Sequence, residues 1–130
     1  MIEVVAALIK SEDSRRFLLC QRPGHKARGG QWEFLGGKVE VGETKAQALV
    51  RECREEIGVT IAPLEEIIGV THEYPDLTVH LTLIAAQIVS GEVTLHEHQD
   101  ARWVNAAQAQ GFDLCPADRE LLHLIRDRLP

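Results

Sequence analysis

A chain of 130 residues, 45% of them apolar, fits one domain over residues 1–130 with a core that needs no disulfide bonds. The net charge of −6, without a basic patch, excludes proteins that coat polymeric nucleic acid. No apolar run approaches the ~20 residues that cross a membrane, and no basic segment typical of a secretion signal opens the chain. We therefore expect no membrane association and a cytoplasmic location.

The first third of the chain predicts strands and a glycine-containing loop. Residues 1–9 and 16–22 are apolar enough for two strands, and the polar stretch between them predicts a hairpin. Residues 23–31 form a basic loop. Residues 32–35 predict a short strand that ends at a glycine pair, Gly36 and Gly37.

Residues 44–57 give the clearest helix. Thr44 can cap it, Gln47 completes a capping box, and Gly58 suits the position after its end. At ~100° per residue, one face is apolar and the other charged. The predicted apolar face consists of Ala46, Val50, Cys53 and Ile57. Cys53, like Cys20 and Cys115, is predicted to be a reduced, buried thiol.

The second half of the chain predicts two more strands, a polar loop, a short strand and a helix. In order these are residues 64–74, 78–89, 96–100, 101–104 and 116–129. Pro116 suits the first position of the last helix, whose apolar stripe includes Leu121 and Ile125. Strands interspersed with helices predict a mixed-sheet α/β or α+β domain.

The charged face of the first helix carries Arg51, Glu52, Glu55 and Glu56. Its glutamates repel one another by roughly a few tenths of a kcal/mol per i,i+4 pair. They also lie toward the helix C-terminus, where the helix dipole disfavours acids. A solvated surface is the ordinary interpretation of such a face. A divalent cation held by oxygen ligands, Mg²⁺ or Mn²⁺, is the alternative that would relieve the repulsion.

The same residues match a longer pattern. Gly37, Glu43 five residues later, and the run of residues 51–59 seven residues after that resemble the Nudix box of the Nudix hydrolases. Every fixed Gly, Glu and Arg of that box is present, and Cys53 stands where the family has Leu, Ile or Val. The wider layout resembles the MutT-type subgroup, nearest to its CTP pyrophosphohydrolase-like members. Leu35 replaces the proline usual before the glycine pair, which puts the rigidity of that loop in question.

The resemblance implies an α/β/α sandwich with a central mixed sheet, and roles for the box residues. The implied metal ligands are the Gly36 carbonyl, Glu52, Glu55 and Glu56, with Mg²⁺ as the cofactor and Mn²⁺ as the alternative. Arg51 would orient the carboxylates through bidentate hydrogen bonds. The implied catalytic residues are Glu43, Arg51, Glu55 and Glu97. An exposed loop position without a role is an equally good interpretation of Glu97.

Substrate contacts are implied outside the helix. The candidates for phosphate contact are Arg22, Lys38, Lys26 and Arg28. For Lys26 and Arg28 a solvated loop position is the favoured interpretation. Phe34 and Tyr74, with Trp32 as a further candidate, would stack on a base. Asp118 would bond the base edge, or would only complement the dipole of its helix. His96 and His98 are interpreted as loop histidines near phosphates rather than as zinc ligands.

The implied reaction converts a nucleoside triphosphate to its monophosphate and pyrophosphate, as in the sanitising of nucleotide pools. The substrate would be CTP, a modified dCTP or 8-oxo-dGTP. One alternative is hydrolysis of another nucleoside diphosphate derivative, such as a nucleotide sugar. Another is a catalytically silent nucleotide-binding module, which the complete set of box residues argues against. The expected partner is a small nucleotide, and no oligomeric state is predicted.

Overall fold

The computed structural model describes all residues from 1 to 130 and contains seven strands and three helices. The elements in chain order are β1 (Ile2–Ile9), β2 (Phe17–Gln21), β3 (Trp32–Glu33), β4 (Leu35–Lys38), α1 (Lys45–Ile57), β5 (Thr60–Glu73), β6 (Thr78–Ser90), β7 (Asp100–Val104), α2 (Ala106–Ala109) and α3 (Pro116–Ile125). A 3-10 turn over Arg126–Arg128 follows α3. None of these helices is long and apolar enough to cross a membrane.

The strands form two sheets. The larger has the order β4-β1-β6-β5, in which β1 and β6 are parallel and the other neighbours are antiparallel. The smaller has the order β3-β2-β7 and is antiparallel throughout. The predicted fold class, with a central mixed sheet, is confirmed.

Alternate residues of β1 enter two different cores. Val5 and Ile9 pack with the buried face of α1, whereas Ala6 and Leu8 pack with the buried face of α3. Successive side chains of a strand point to opposite faces, so both faces of β1 are covered by a helix. Double coverage explains why the strand is a continuous apolar run.

The predicted hairpin between the first two strands is wrong. Only Lys10 and Phe17 form a bridge, and beyond it the two strands belong to different sheets. Both edges of β1 are occupied, by β4 and β6. The polar turn reverses the chain as expected, but β2 continues between β3 and β7 instead.

The predicted ends of α1 are confirmed and its predicted apolar face is partly wrong. The Thr44 side chain accepts a hydrogen bond from the Gln47 N–H, and the Gln47 side chain accepts one from the Thr44 N–H, at 3.1 and 2.9 Å. The buried side chains are Ala48, Leu49, Cys53 and Ile57, while Ala46 is exposed and Val50 half-buried. Leu49 determines the direction of the face, because exposing a small alanine costs little and exposing a leucine costs much more.

Other boundaries also differ from the sequence predictions. Strand β5 begins at Thr60, four positions before its predicted start, and α3 ends at Ile125. Helix α2 was not predicted, although Asn105 and Gln108 form a capping box for it. All three cysteines are free and buried, as predicted.

Candidate active site

A cavity of about 300 Å³ opens between the N-terminal end of β1, strand β4, helix α1 and the start of α3. Acidic residues line it in two places. Glu52 and Glu56 belong to α1, whereas Glu33 and Asp118 come from β3 and α3. The two acidic positions therefore come from different parts of the chain, and Glu52 and Glu56 lie on successive turns of the same helix.

Only part of the charged face of α1 reaches this cavity. The side chains of Glu52 and Glu56 are 12% and 19% exposed and line it. The side chain of Glu55 is 59% exposed and lies outside the lining. Burial raises the pKa of Glu52 above its usual range, despite the hydrogen bond from Arg51 that lowers it.

Arg51 organises the acids around it without lining the cavity. Its guanidinium donates to both oxygens of Glu43, at 2.7 and 2.9 Å. It also donates to Glu52 at 2.9 Å, to Glu55 at 3.3 Å and to the Lys38 carbonyl at 3.0 Å. The hydrogen bonds from Arg51 lower the pKa of Glu43 to about 2. Arg51 thus fixes the loop after β4 to the middle of α1.

The glycine pair allows β4 to approach its neighbours closely. A Cβ on Gly37 would lie 2.5 and 2.7 Å from the two carboxylate oxygens of Glu52, and a Cβ on Gly36 would collide with the Val5 carbonyl. The carboxylate of Glu52 therefore rests directly against the backbone of Gly37. No residue with a side chain could replace either glycine without a shift of its surroundings.

These residues fit a divalent cation. Two half-buried carboxylates, Glu52 and Glu56, share the cavity with the backbone of Gly36, so the available donors are oxygens, as hard cations prefer. A second group, Glu33, Cys115 and Asp118, brings its donor atoms within 4.8 Å of one another, which the three glutamates of the charged face of α1 do not. That group fits Mg²⁺ less well, because it includes a soft thiol, and burial raises the pKa of the Cys115 thiol.

Asp118 lies at the other acidic position of the cavity and is 6% exposed. Its Oδ1 accepts a hydrogen bond of 2.9 Å from the Phe34 N–H. Burial, and then the charge of Glu33, raise the pKa of Asp118 well above the usual range of an aspartate. The Phe34 ring is only 2% exposed and stacks on Phe17 at 5.8 Å. Phe34 thus orients Asp118 through its main chain.

Tyr74 lines the same part of the cavity, and one face of its ring contacts Arg28. The Arg28 guanidinium lies 4.0 Å from the ring centroid, an arrangement typical of a cation–π contact. Arg28 also pairs with Asp76 at 2.9 Å, and the Tyr74 hydroxyl accepts a hydrogen bond from the Ala117 N–H at 2.9 Å. The interpretation of Arg28 as a solvated loop residue is wrong, because these contacts leave its side chain 21% exposed.

Sequence reasoning missed Glu33, whose carboxylate lies between two basic groups. Arg22 donates to one oxygen at 2.9 Å, and the Nε2 of His98 lies 3.1 Å from the other. A charged residue between Trp32 and Phe34 on a short strand was the available signal for Glu33. His98 is buried behind Glu33 and does not line the cavity.

The remaining predicted residues lie at or beyond the rim. Lys38 lines the cavity and is exposed. Glu97 lies outside the lining and pairs with Lys26 at 2.9 Å, with its side chain 50% exposed. Lys26 itself lines the cavity, so it is part of the site's basic side rather than a free loop residue. The ring of His96 contacts the carbonyl of Glu55 behind α1.

Comparison with known proteins identifies the fold family and several relatives. The NUDIX domain model matches residues 1–125. The chain is 41% identical over 122 residues to the CTP pyrophosphohydrolase of Escherichia coli K12, covering 94% of this chain and 89% of that protein. It is 28% identical over 125 residues to the 8-oxo-dGTP diphosphatase of the same organism, covering 96% of each. The crystal structure of a MutT protein from Methanosarcina mazei Go1 superposes with a TM-score of 0.85 at 30% identity, over 98% of this chain and 93% of that one.

Substituting Gly37 tests the close approach of Glu52. In Gly37→Ala the new methyl group must displace the Glu52 carboxylate, since the side chain yields more easily than the strand. We expect the affinity for Mn²⁺, measured by calorimetry without nucleotide, to fall by about tenfold or more. Gly111→Ala is the matched control, because its Cβ would meet only a carbonyl oxygen at 3.5 Å. Unchanged Mn²⁺ affinity in Gly37→Ala would show that Glu52 is not a ligand.

The raised pKa of Asp118 predicts a pH-dependent cost to stability. The folded chain keeps a proton that the unfolded chain releases above the ordinary pKa of 3.8. The free energy of unfolding therefore falls as pH rises through that window. Asp118→Asn carries no such proton, so its unfolding free energy should rise relative to wild type as pH increases above about 4. Urea titrations measure this, with the exposed Asp113→Asn as control. A pH-independent difference would contradict the assignment.

Proposed function

The chain belongs to the NUDIX domain family and is a Nudix hydrolase, and from this premise we propose that it hydrolyses a nucleoside triphosphate to a monophosphate and pyrophosphate. The observation that carries the proposal is one cavity that holds both Glu52 and Glu56 and, separately, the Glu33–Asp118 pair beside Tyr74. The first pair suits a cation that binds phosphates, and the second suits a base edge. We place the reaction in the cytoplasm.

Glu52, Glu56 and the carbonyl of Gly36 would hold the cation, which we propose to be Mg²⁺ with Mn²⁺ as a substitute. When bound, such an ion neutralises phosphate oxygens and makes water a better nucleophile. Arg51 keeps the Glu52 carboxylate turned toward the cavity. Its pairing with Glu43 anchors that arrangement to the preceding loop.

The proton of the attacking water requires a carboxylate that is not occupied by the cation. We propose Glu55 for this role, one turn after Glu52 on the same helix. Its side chain is 59% exposed and lies outside the cavity lining, so it would have to turn toward the attacking water. Glu97 is held by Lys26, so its role would be to keep that lysine at the mouth of the cavity. In-line attack of that water on the α or the β phosphorus would break the anhydride bond between these two atoms, and the nucleoside monophosphate and pyrophosphate would separate.

Basic side chains would receive the phosphate chain. Lys38 lines the cavity, is exposed, and makes no ion pair in the structure. Arg22 donates to Glu33 through Nη1 and to the Ala27 carbonyl through Nε, which leaves Nη2 for a phosphate oxygen. The negative charge that develops on the leaving group would be stabilised by these two cations.

Glu33 and Asp118 would recognise the base. Glu33 accepts one hydrogen bond from Arg22 and lies within bonding distance of His98, and its oxygens keep lone pairs that can accept from a base. Asp118 favours its protonated form because it is buried beside Glu33. The pair thus offers an acceptor next to a donor, as hydrogen bonding to the edge of a base requires. Tyr74 would stack on the base. Either Arg28 moves away from the ring to make room, or it remains on one face while the base takes the other.

We propose a cytidine triphosphate, CTP or a modified dCTP, as the preferred substrate, because the CTP pyrophosphohydrolase of Escherichia coli is 41% identical over most of both chains. 8-oxo-dGTP is the second candidate, favoured by the 28% identity to an 8-oxo-dGTP diphosphatase over 96% of this chain. Two alternatives remain for a substrate panel to test. One is turnover of another nucleoside diphosphate derivative, and the other is nucleotide binding without turnover.

A nucleotide panel with a matched pair of glutamate variants tests the reaction. Wild type should release pyrophosphate from at least one triphosphate only when Mg²⁺ or Mn²⁺ is present. Glu56→Gln removes one ligand charge and should lower turnover on the order of 100-fold without loss of fold. Glu65→Gln, exposed on β5, should behave as wild type. Nucleotide binding with no turnover on any substrate would favour the silent module.

Base selection is tested by two substitutions of Asp118. Asparagine keeps an acceptor for the Phe34 N–H and offers an N–H donor, as a protonated aspartate offers its O–H. Asp118→Asn should therefore preserve the order of preference among CTP, modified dCTP and 8-oxo-dGTP, and Asp118→Ala should change it. If both variants lose activity on all nucleotides by the same factor, Asp118 has only a structural role.

A further inference from the structure

One imidazole ring lies between the acid of the base pocket and the acid of the cation site. We propose that His98 is a positioning residue that sets Glu33 and Glu56 relative to each other, and so joins base recognition to cation binding. This inference rests on the proposed function, because it takes Glu33 as a base contact and Glu56 as a cation ligand. His98 does not line the cavity, so it acts through these two neighbours.

The two ring nitrogens of His98 face two different carboxylates. Nε2 lies 3.1 Å from Oε2 of Glu33, within hydrogen-bonding distance, and Nδ1 lies 3.6 Å from Oε2 of Glu56. The side chain is only 5% exposed. Nδ1 is buried without a hydrogen-bond partner, an arrangement that costs free energy unless a nearby group approaches. Glu56 is the group within reach, and a small movement of its carboxylate would complete the bond.

The backbone around His98 is fixed on both sides, so the ring cannot follow a carboxylate that moves away. The N–H of His96 donates to the Glu56 carbonyl at 3.2 Å. The N–H of Gln99 donates to the Gln21 carbonyl of β2 at 3.0 Å. The loop thus ties the end of α1 to β2 across this short segment, and His98 is held between them.

Glu33 has little freedom while His98 is present. Arg22 holds one of its oxygens at 2.9 Å and His98 faces the other. Loss of the ring would leave a space behind both Glu33 and Glu56 and would free one oxygen of each. Both carboxylates would then lose the alignment that the cavity presents to a base and to a cation.

The two nitrogens can be removed separately. In Gln the amide nitrogen can occupy the place of Nε2, and in Asn it can occupy the place of Nδ1. His98→Gln should therefore keep Glu33 aligned and release Glu56. His98→Asn should do the reverse, and His98→Leu should release both. His123→Gln on the exposed face of α3 is the control for loss of a histidine.

Two measurements distinguish the carboxylates. Calorimetric titration with Mn²⁺ alone reports Glu56, and the ratio of kcat/KM for CTP to that for GTP reports Glu33. We expect His98→Gln to weaken Mn²⁺ binding by about tenfold with the ratio unchanged. We expect His98→Asn to change the ratio with Mn²⁺ affinity close to wild type, and His98→Leu to impair both. The control should retain wild-type values in both measurements.

The proposal is overturned if every His98 variant keeps both wild-type values, or if the variants lose only thermal stability. It is also overturned if the Gln and Asn variants impair both properties equally. These failures differ from a failure of the proposed function, in which wild type itself would hydrolyse neither nucleotide. In that case the Mn²⁺ affinities of His98→Gln and His98→Asn should still differ. The contact between His98 and Glu56 is therefore tested independently of nucleotide hydrolysis.

Discussion

The pairing of Arg51 with its surrounding acids is the interaction on which the site depends. Glu43, Glu52 and Glu55 would repel one another in the absence of a cation, yet one guanidinium contacts all three. The same group reaches the Lys38 carbonyl at the end of β4. Arg51 therefore offsets the crowding of charge on α1 and also determines where the glycine-containing strand lies against the helix. Glu56 is left without an arginine partner, free to serve as a ligand.

The short segment from Phe34 to Lys38 connects the two acidic positions of the cavity. At its start the Phe34 N–H orients Asp118, and near its end the backbone of Gly37 lies against the Glu52 carboxylate. One segment can contact acids of two helices because α1 and α3 cover opposite faces of the strands. A nucleotide that spans the cavity would therefore lie along this segment, between residues of α1 and residues of α3.

Sequence predicted what is local and missed much of what comes from distant parts of the chain. The caps of α1 and the charged face with Arg51 follow from spacings of three and four residues, and the structure confirms them. The contact between Arg28 and Asp76 joins residues 48 positions apart, and that between Glu33 and His98 joins residues 65 apart. The periodic spacing of apolar and polar residues in the sequence does not indicate such distant pairs. The failed hairpin has the same cause, because the partners of β1 and β2 were decided by later strands.

We propose above all that a divalent cation binds between Glu52, Glu56 and the Gly36 carbonyl. A crystal soaked with Mn²⁺ and examined by anomalous diffraction tests it most directly. We expect one strong anomalous peak in contact with both carboxylates and that carbonyl. A peak among Glu33, Cys115 and Asp118 instead, or only on the exposed Glu55, would contradict it.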